Sequence, residues 1–346
     1  MVDKKDQEAF EFVMSFVAAS EKYKDQFIGK WQEILSNFMV DVDDLQGSSY
    51  GGIGTADPFR GGRNRVYRPS NRNTVRLKDP ETHRLVMTYA SKLVRSLLGD
   101  SKREYVQASP SGYEDVIKAQ TATRLLRYCF GLPGMFRTLV ETFVDMILFG
   151  TSVAESSWKY EERMMGVRSV QSEYGVETSS TSRLKIPVYD DPTLVPIDVG
   201  SFYPDPSRYR MQDMTGAAKQ FSMNAIEARR LGASGRYDAA RVEEAIANGT
   251  GTGKPTKPNF RVGLDQPQPQ SVSKFGNMLG YEYTGEVPYD SGSNRERVTI
   301  LNGIVVDRSD YDDYYLPFHA FVINPVQGRF YGISPAEVVR SDQSFA

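Results

Sequence analysis

The sequence predicts an α+β fold: helices gathered toward the amino terminus, then a mixed, mainly antiparallel β region. Two patterns carry that expectation. In residues 5–39, 79–99 and 113–149 apolar residues recur at spacings near three and four, and from residue 151 the pattern changes to alternation broken by polar turns. The order of helices, strands, two short helices and further strands departs from the strict alternation of a doubly wound sheet. Composition agrees, since 346 residues with 40% hydrophobic and 25% charged side chains can bury a sizeable core, and 29 Gly with 18 Pro imply many turns.

Residues 5–39 read as one long helix, because Phe16, Tyr23, Phe27, Trp31, Leu35 and Phe38 form an aromatic stripe expected to face the core. Residues 40–78 shift to Gly, Asn, Ser and Arg and read as a long loop or arm whose basic residues are Arg60, Arg63, Arg65, Arg68 and Arg72. Asp79 and Pro80 then open a helix that Gly99 stops, and the run REYVQASP reads as a short strand. Two further helices, 113–130 and 134–149, are separated by GLPG and closed by Gly150. Beyond it, TSVAESSWKYEERM, SRLKIPVYDD and LVPIDVGSFYPDP read as separate strands. Two short helices (SMNAIEARRLG and DAARVEEAIANG) lead to a Gly/Pro/Gln-rich flexible loop at 249–272. FGNMLGYEYTGEV resumes the sheet, and RVTILNGIVVD is a hairpin whose Asn302-Gly303 pair suits a type I′ turn.

Little in this composition supports catalysis. With one cysteine, Cys129, no intrachain disulfide can form, and two histidines, His83 and His319, leave almost no material for a metal site or a general base. Cys129 falls on the apolar end of a helix and reads as a small buried hydrophobe. Gly47-Ser48-Ser49-Tyr50-Gly51 matches the G-x-S-x-G elbow of hydrolases, but an acidic segment precedes it where a strand is needed. GTGTGKPTK resembles a phosphate loop, yet Asn248 stands at its first glycine and Pro255 replaces the Ser/Thr that would hold magnesium. The clusters Asp41/Asp43/Asp44 and Asp310/Asp312/Asp313 lack the spacing of a calcium loop and read as solvated turns. The expectation is a non-enzyme with no cofactor and no metal. A net charge of -2 argues against tight duplex binding as the main task. The charged start MVDKKDQEAFEF and the lack of an apolar run of about 18 residues argue against secretion or a membrane span.

From Tyr105 onward the segments YVQASP, EDVIKAQTATRLLRY and LFGTSVAESSWKYE, then VPIDVGSFYPDPS, GYEYTGE and LPFHAFVINPVQGRFYGISPAEVVRSDQ, follow one another in an order that resembles the portal (head-tail connector) proteins of tailed double-stranded DNA bacteriophages. The resemblance rests on Gly150 and Trp158, the Asp205-Pro206 turn, and Gly332 with Ser334 in a Gly-x-Ser turn that opens a helix. It implies a structural subunit of the ring at the capsid vertex, a dodecamer by analogy, through which DNA is packaged and ejected. Its implied partners are further copies of the chain, capsid, scaffold, terminase and tail adaptor proteins, and DNA sliding through the channel. Its implied place is the virion, after assembly in the host cytoplasm. The competing expectations are another capsid or tail adaptor and a packaging nuclease or ATPase.

On this resemblance the chain divides into a helix at 1–39, an arm at 40–78, a helical part of the wing at 79–150, a β-rich wing at 151–333 and the start of a stem helix at 334–346. Stem, clip and crown are missing by the same comparison. The expectation is either a fragment or a divided portal whose second chain supplies them, with Val338 and Val339 left uncovered. The arginine-rich arm is expected to touch DNA phosphates or, the favoured option, an acidic surface of a neighbouring subunit. Changing Arg63 and Arg65 to Ala should then loosen the assembled ring even without DNA. Weakened DNA association with an intact ring would instead assign the arm to DNA, and no change in either would make the arginines ordinary solvated surface.

Overall fold

The computed structural model describes residues 4–39, 81–98, 106–132, 134–173, 176–252, 277–290 and 292–343. The arginines at 60, 63, 65, 68 and 72, the serine motif at 47–51 and the carboxylates at 41, 43 and 44 lie outside these residues. The architecture is α+β. Its helices are α1 (Lys4–Met39), α2 (Glu81–Leu98), α3 (Val116–Gly131), α4 (Met135–Phe149), α5 (Ala225–Ala233), α6 (Ala239–Thr252) and α7 (Pro335–Gln343). Its strands are β1 (Thr151–Glu173), β2 (Val176–Ile197), β3 (Phe202–Pro204), β4 (Gly216–Asn224), β5 (Asn277–Tyr289), β6 (Gly292–Leu301), β7 (Ile304–Asp310) and β8 (Phe318–Val322). They form a three-stranded sheet in the order β2-β1-β8 and a five-stranded meander in the order β3-β4-β5-β6-β7, all antiparallel.

Helix α1 is the spine. At 36 residues it runs about 54 Å, long enough to serve two cores in succession. Its first half inserts Ala9, Val13 and Val17 against Tyr203, Tyr283, Val298 and Ile300 of the five-stranded sheet. Its second half inserts Phe27, Trp31, Ile34 and Leu35 into the main core with α4, Val153 of β1 and Tyr331. Tyr331 is the hub there: the rings of Tyr23, Phe27 and Trp31 all lie within 6 Å of it, centroid to centroid. The other face of the meander is covered by α5 and α6, through Ala228, Val242 and Ala245 against Met278, Leu301 and Val306. Both faces of that sheet are therefore packed against helices.

Charged groups tie these layers where apolar contact alone would let them slide. Lys219 on β4 bridges Glu155 on β1 at 2.6 Å and Glu282 on β5 at 3.2 Å, joining the two sheets. Asp6 in the first turn of α1 accepts from Arg241 of α6 at 2.5 Å and pairs with Arg308 of β7 at 3.4 Å. Lys24, buried on α1, donates to the carbonyls of Gly200 at 2.5 Å and Phe202 at 3.3 Å and lies 3.7 Å from the centre of the Tyr203 ring.

Four expectations change. Residues 106–110 have no strand; the amide of Ala108 instead donates to Thr123 Oγ1 of α3, and the segment lies along that helix. Of the separate strands expected after 151, the first, the second and the start of the third fall in β1 and β2, which pair from Val153 opposite Ile197 to Glu173 opposite Val176 with one register shift at Glu161/Glu162, and the end of the third is β3. The Ser/Thr run between the first and the second is strand rather than turn, since paired backbones satisfy their hydrogen bonds whatever side chains they carry. Helix α6 continues to Thr252, into the stretch expected as loop. Cys129 is half-buried rather than buried. The Asn302-Gly303 turn has positive φ at both residues, 46° and 84°, as a type I′ turn requires.

Burial holds the pKa of Lys24 down to about 8, against the opposing pull of Asp198, Glu21 and Asp25. Because the folded value lies below the unfolded one of about 10.4, the unfolded chain binds more protons between those pH values, and stability should rise with pH across that window. The difference in unfolding free energy between wild type and Lys24→Met, measured from pH 7 to 10.5, should carry this positive slope above pH 8. A flat difference would show that Lys24 is solvated.

Candidate functional site

Three of the six residues singled out with the portal resemblance meet at one point. Helix α4 ends in Gly150, whose φ of 81° is left-handed and favours glycine. The turn brings the chain against Gly332, and a Cβ on Gly150 would overlap the Gly332 carbonyl. A Cβ on Gly332 would in turn overlap the carbonyl of Ile323, so neither position has room for a side chain. Hydrogen bonds close the joint on every side. The amide of Gly332 donates to Thr151 Oγ1 at 2.9 Å, and that of Ile323 to the Gly150 carbonyl at 3.0 Å. Ser334, 1% exposed, donates its hydroxyl to the Ile147 carbonyl at 2.7 Å while its Oγ accepts from the amide of Ala336 at 2.9 Å. Ser334 thus caps α7 and ties it to the last turn of α4.

Asp205 and Pro206 form a second device nearby in the chain. The Asp205 carboxylate accepts from the amide and hydroxyl of Ser207 at 2.8 and 2.6 Å and from Thr215 Oγ1 at 3.1 Å. Burial acts to raise its pKa, but these donors outweigh it and hold the carboxyl below its ordinary value. The loop from 205 to 215 is pinned at both ends by one side chain.

Trp158 is elsewhere. It sits on β1 beyond the part flanked by β8, 65% exposed, with its indole N–H donating to Asp190 on β2 at 2.8 Å. From Ser156 outward β1 pairs with β2 alone, so the two strands form a ribbon of about 60 Å. Side chains on both faces of its described part are exposed, including Tyr160, Met165 and Val188. Its root is braced by α3, whose Tyr128 hydroxyl donates to Asp191 at 2.5 Å. Helix α3 itself keeps Ile117, Leu125 and Tyr128 exposed along one side.

Other polar groups meet in pairs and small clusters among the described residues. His319 Nε2 lies 3.0 Å from Ser156 Oγ across β1 and β8, a pair 163 residues apart in sequence that no local motif announces. The Ser156 amide is already used on the Pro317 carbonyl, which removes it as an oxyanion donor, and among the described residues the His319 ring makes no further hydrogen bond of the kind that orients a base in a triad. The Lys219 cluster is buried between the sheets, away from any cleft. Among the described residues no group of three or more His, Cys, Asp and Glu converges as a metal-binding set, and no helix is long and apolar enough to cross a membrane. His83 stacks on Phe38 at 4.8 Å. No model of a known protein family matches the chain, and no curated protein sequence matches it.

Replacing Gly150 by Ala should cost about 3 kcal/mol or more, since it adds left-handed strain to a backbone overlap. Gly134 has a similar φ of 91° with nothing near its missing Cβ, so Gly134→Ala should cost only about 1 kcal/mol. Equal shifts in the urea midpoints of the two variants would mean that the joint relaxes around a methyl group.

Proposed function

We propose that the chain is a structural subunit of the portal ring of a tailed double-stranded DNA bacteriophage, corresponding to its wing, and that it works by assembly rather than catalysis. The observation that carries this reading is spatial. Gly150, Gly332 and Ser334, which stand in separate segments of the resemblance, converge on one rigid joint, and from that joint springs a long β-ribbon bearing Trp158. A two-stranded ribbon is at best marginally stable by itself in water. An arm of this length is therefore built to lie on another surface, and in a ring each copy meets two neighbours through different faces.

Supporting it are the apolar side chains left exposed on α2 and α3, with Met87, Tyr89, Ile117 and Leu125 all about half exposed or more; such surface on a single chain is commonly a docking face. In this reading the neighbours are further copies together with capsid, scaffold, terminase and tail adaptor proteins. DNA slides past a slightly acidic subunit that grips no phosphates tightly.

Native mass measurement and electron microscopy test it: closed rings of many copies are expected. Compact monomers at high concentration would remove the portal reading.

A further inference from the structure

Leaving aside the ribbon beyond Ser156, where β1 and β2 each keep an open side, the two sheets have four edges, and three of them are blunted. β2 carries Pro187, Pro192 and Pro196, which interrupt its outer row of donors. The outer carbonyls of β7 are taken by α6, through the Asp238 amide on Val306 and Arg241 on Val305. β3 is three residues long and receives Lys24 on the Phe202 carbonyl. The fourth edge, β8, is open. The bonds that flank its ladder, Ser156 amide to Pro317 carbonyl and Ile323 amide to Gly150 carbonyl, fix the alternation. Residues 317, 319, 321 and 323 face β1, so the amides and carbonyls of Ala320 and Val322 point away from it. Among the described residues nothing hydrogen-bonds to those outward groups.

This edge lines a cleft of about 630 Å³ between the loop Tyr209–Gln212, held by Asp205, and the turn Pro325–Phe330. Its floor is apolar, with Ala320, Val322 and Phe330, and its rims carry Arg210 and Arg329. Arg210 rests on the Tyr209 ring and Arg329 on the Phe27 ring, at 5.3 and 4.9 Å. Neither guanidinium has a carboxylate within 4 Å among the described residues. An open row of backbone donors and acceptors, an apolar floor and two unpaired cations together suit an extended peptide with acidic and aromatic side chains.

The chain displays such a segment. Between β7 and β8, Asp312 and Asp313 are exposed and make no ion pair among the described residues, and Tyr314 and Tyr315 are 79% and 68% exposed. We propose that the β8 edge is a strand-accepting site and that its occupant is the Asp312–Tyr315 segment of a second copy. The backbone adds beside Ala320 and Val322, the carboxylates meet Arg210 and Arg329, and a tyrosine ring covers the floor. The proposal does not rest on the portal reading, since any self-association can use it.

Sedimentation velocity over a concentration series tests it in the intact chain. Arg210→Glu with Arg329→Glu, and separately Asp312→Lys with Asp313→Lys, should each weaken self-association at least tenfold, and mixing the two variants should restore association between them. Arg210 is exposed, so Arg210→Glu alone serves if the double variant fails to fold. Ala320→Pro removes only an outward amide, which an edge strand tolerates; it should weaken association with an unchanged circular dichroism spectrum. Association indifferent to all these changes, or a charge-swapped mixture that does not recover, overturns the proposal, and rings that persist through them would do so while leaving the portal reading standing. A wild-type chain that stays monomeric while a synthetic Asp310–Leu316 peptide still binds overturns the second copy as the occupant.

Discussion

The close approach of Gly150 to Gly332 is the constraint on which the rest of the molecule hangs. Two backbone turns more than 180 residues apart touch because neither carries a Cβ, and the contact decides three directions at once. It sends the chain out of α4 into β1, it sets β8 beside β1 in register, and it starts α7 from a serine tied back to α4. Loosening it would change the angle at which the β-ribbon leaves the body, since a ribbon of about 60 Å magnifies any rotation at its root.

A second constraint is the sharing of α1 between two cores. A helix that packs on the meander with its first half and on the main core with its second holds the two sheets at one separation. The pairs that cross between layers, Lys219 with Glu155 and Glu282 and Asp6 with Arg241 and Arg308, select that arrangement. Buried ion pairs add little net stability over apolar packing, whereas removing one partner is costly, about 3–5 kcal/mol. Their consequence here is geometric: a slid or rotated sheet would strand a charge.

The unsatisfied features lie outside this rigid body. The ribbon, the apolar side of α3, and the β8 edge with its basic rims each present groups that the described residues leave uncovered. Core polar groups, by contrast, are mostly partnered, as Asp205 and Ser334 show. A packed body with incomplete faces suits a role in which other surfaces finish the packing.

Much of the local structure was legible in the residues themselves. The three-and-four spacing of Phe27, Trp31 and Leu35 announced α1 and its buried side, Gly150 announced the end of α4, and Asn302-Gly303 announced a hairpin, because each is governed by nearest-neighbour sterics and period. The portal resemblance also drew attention to Gly332 and Ser334 without saying what they touch. The tertiary structure alone decided that these meet Gly150. It decided as well that a Ser/Thr-rich stretch belongs to one long ribbon, that His319 stands beside Ser156, and that among the described residues β8 keeps a bare edge. The physical reason is common to all four: each depends on which strand or turn lies alongside, and pairing between distant segments is set by packing and loop closure across the whole chain rather than by the side chains of the segment itself.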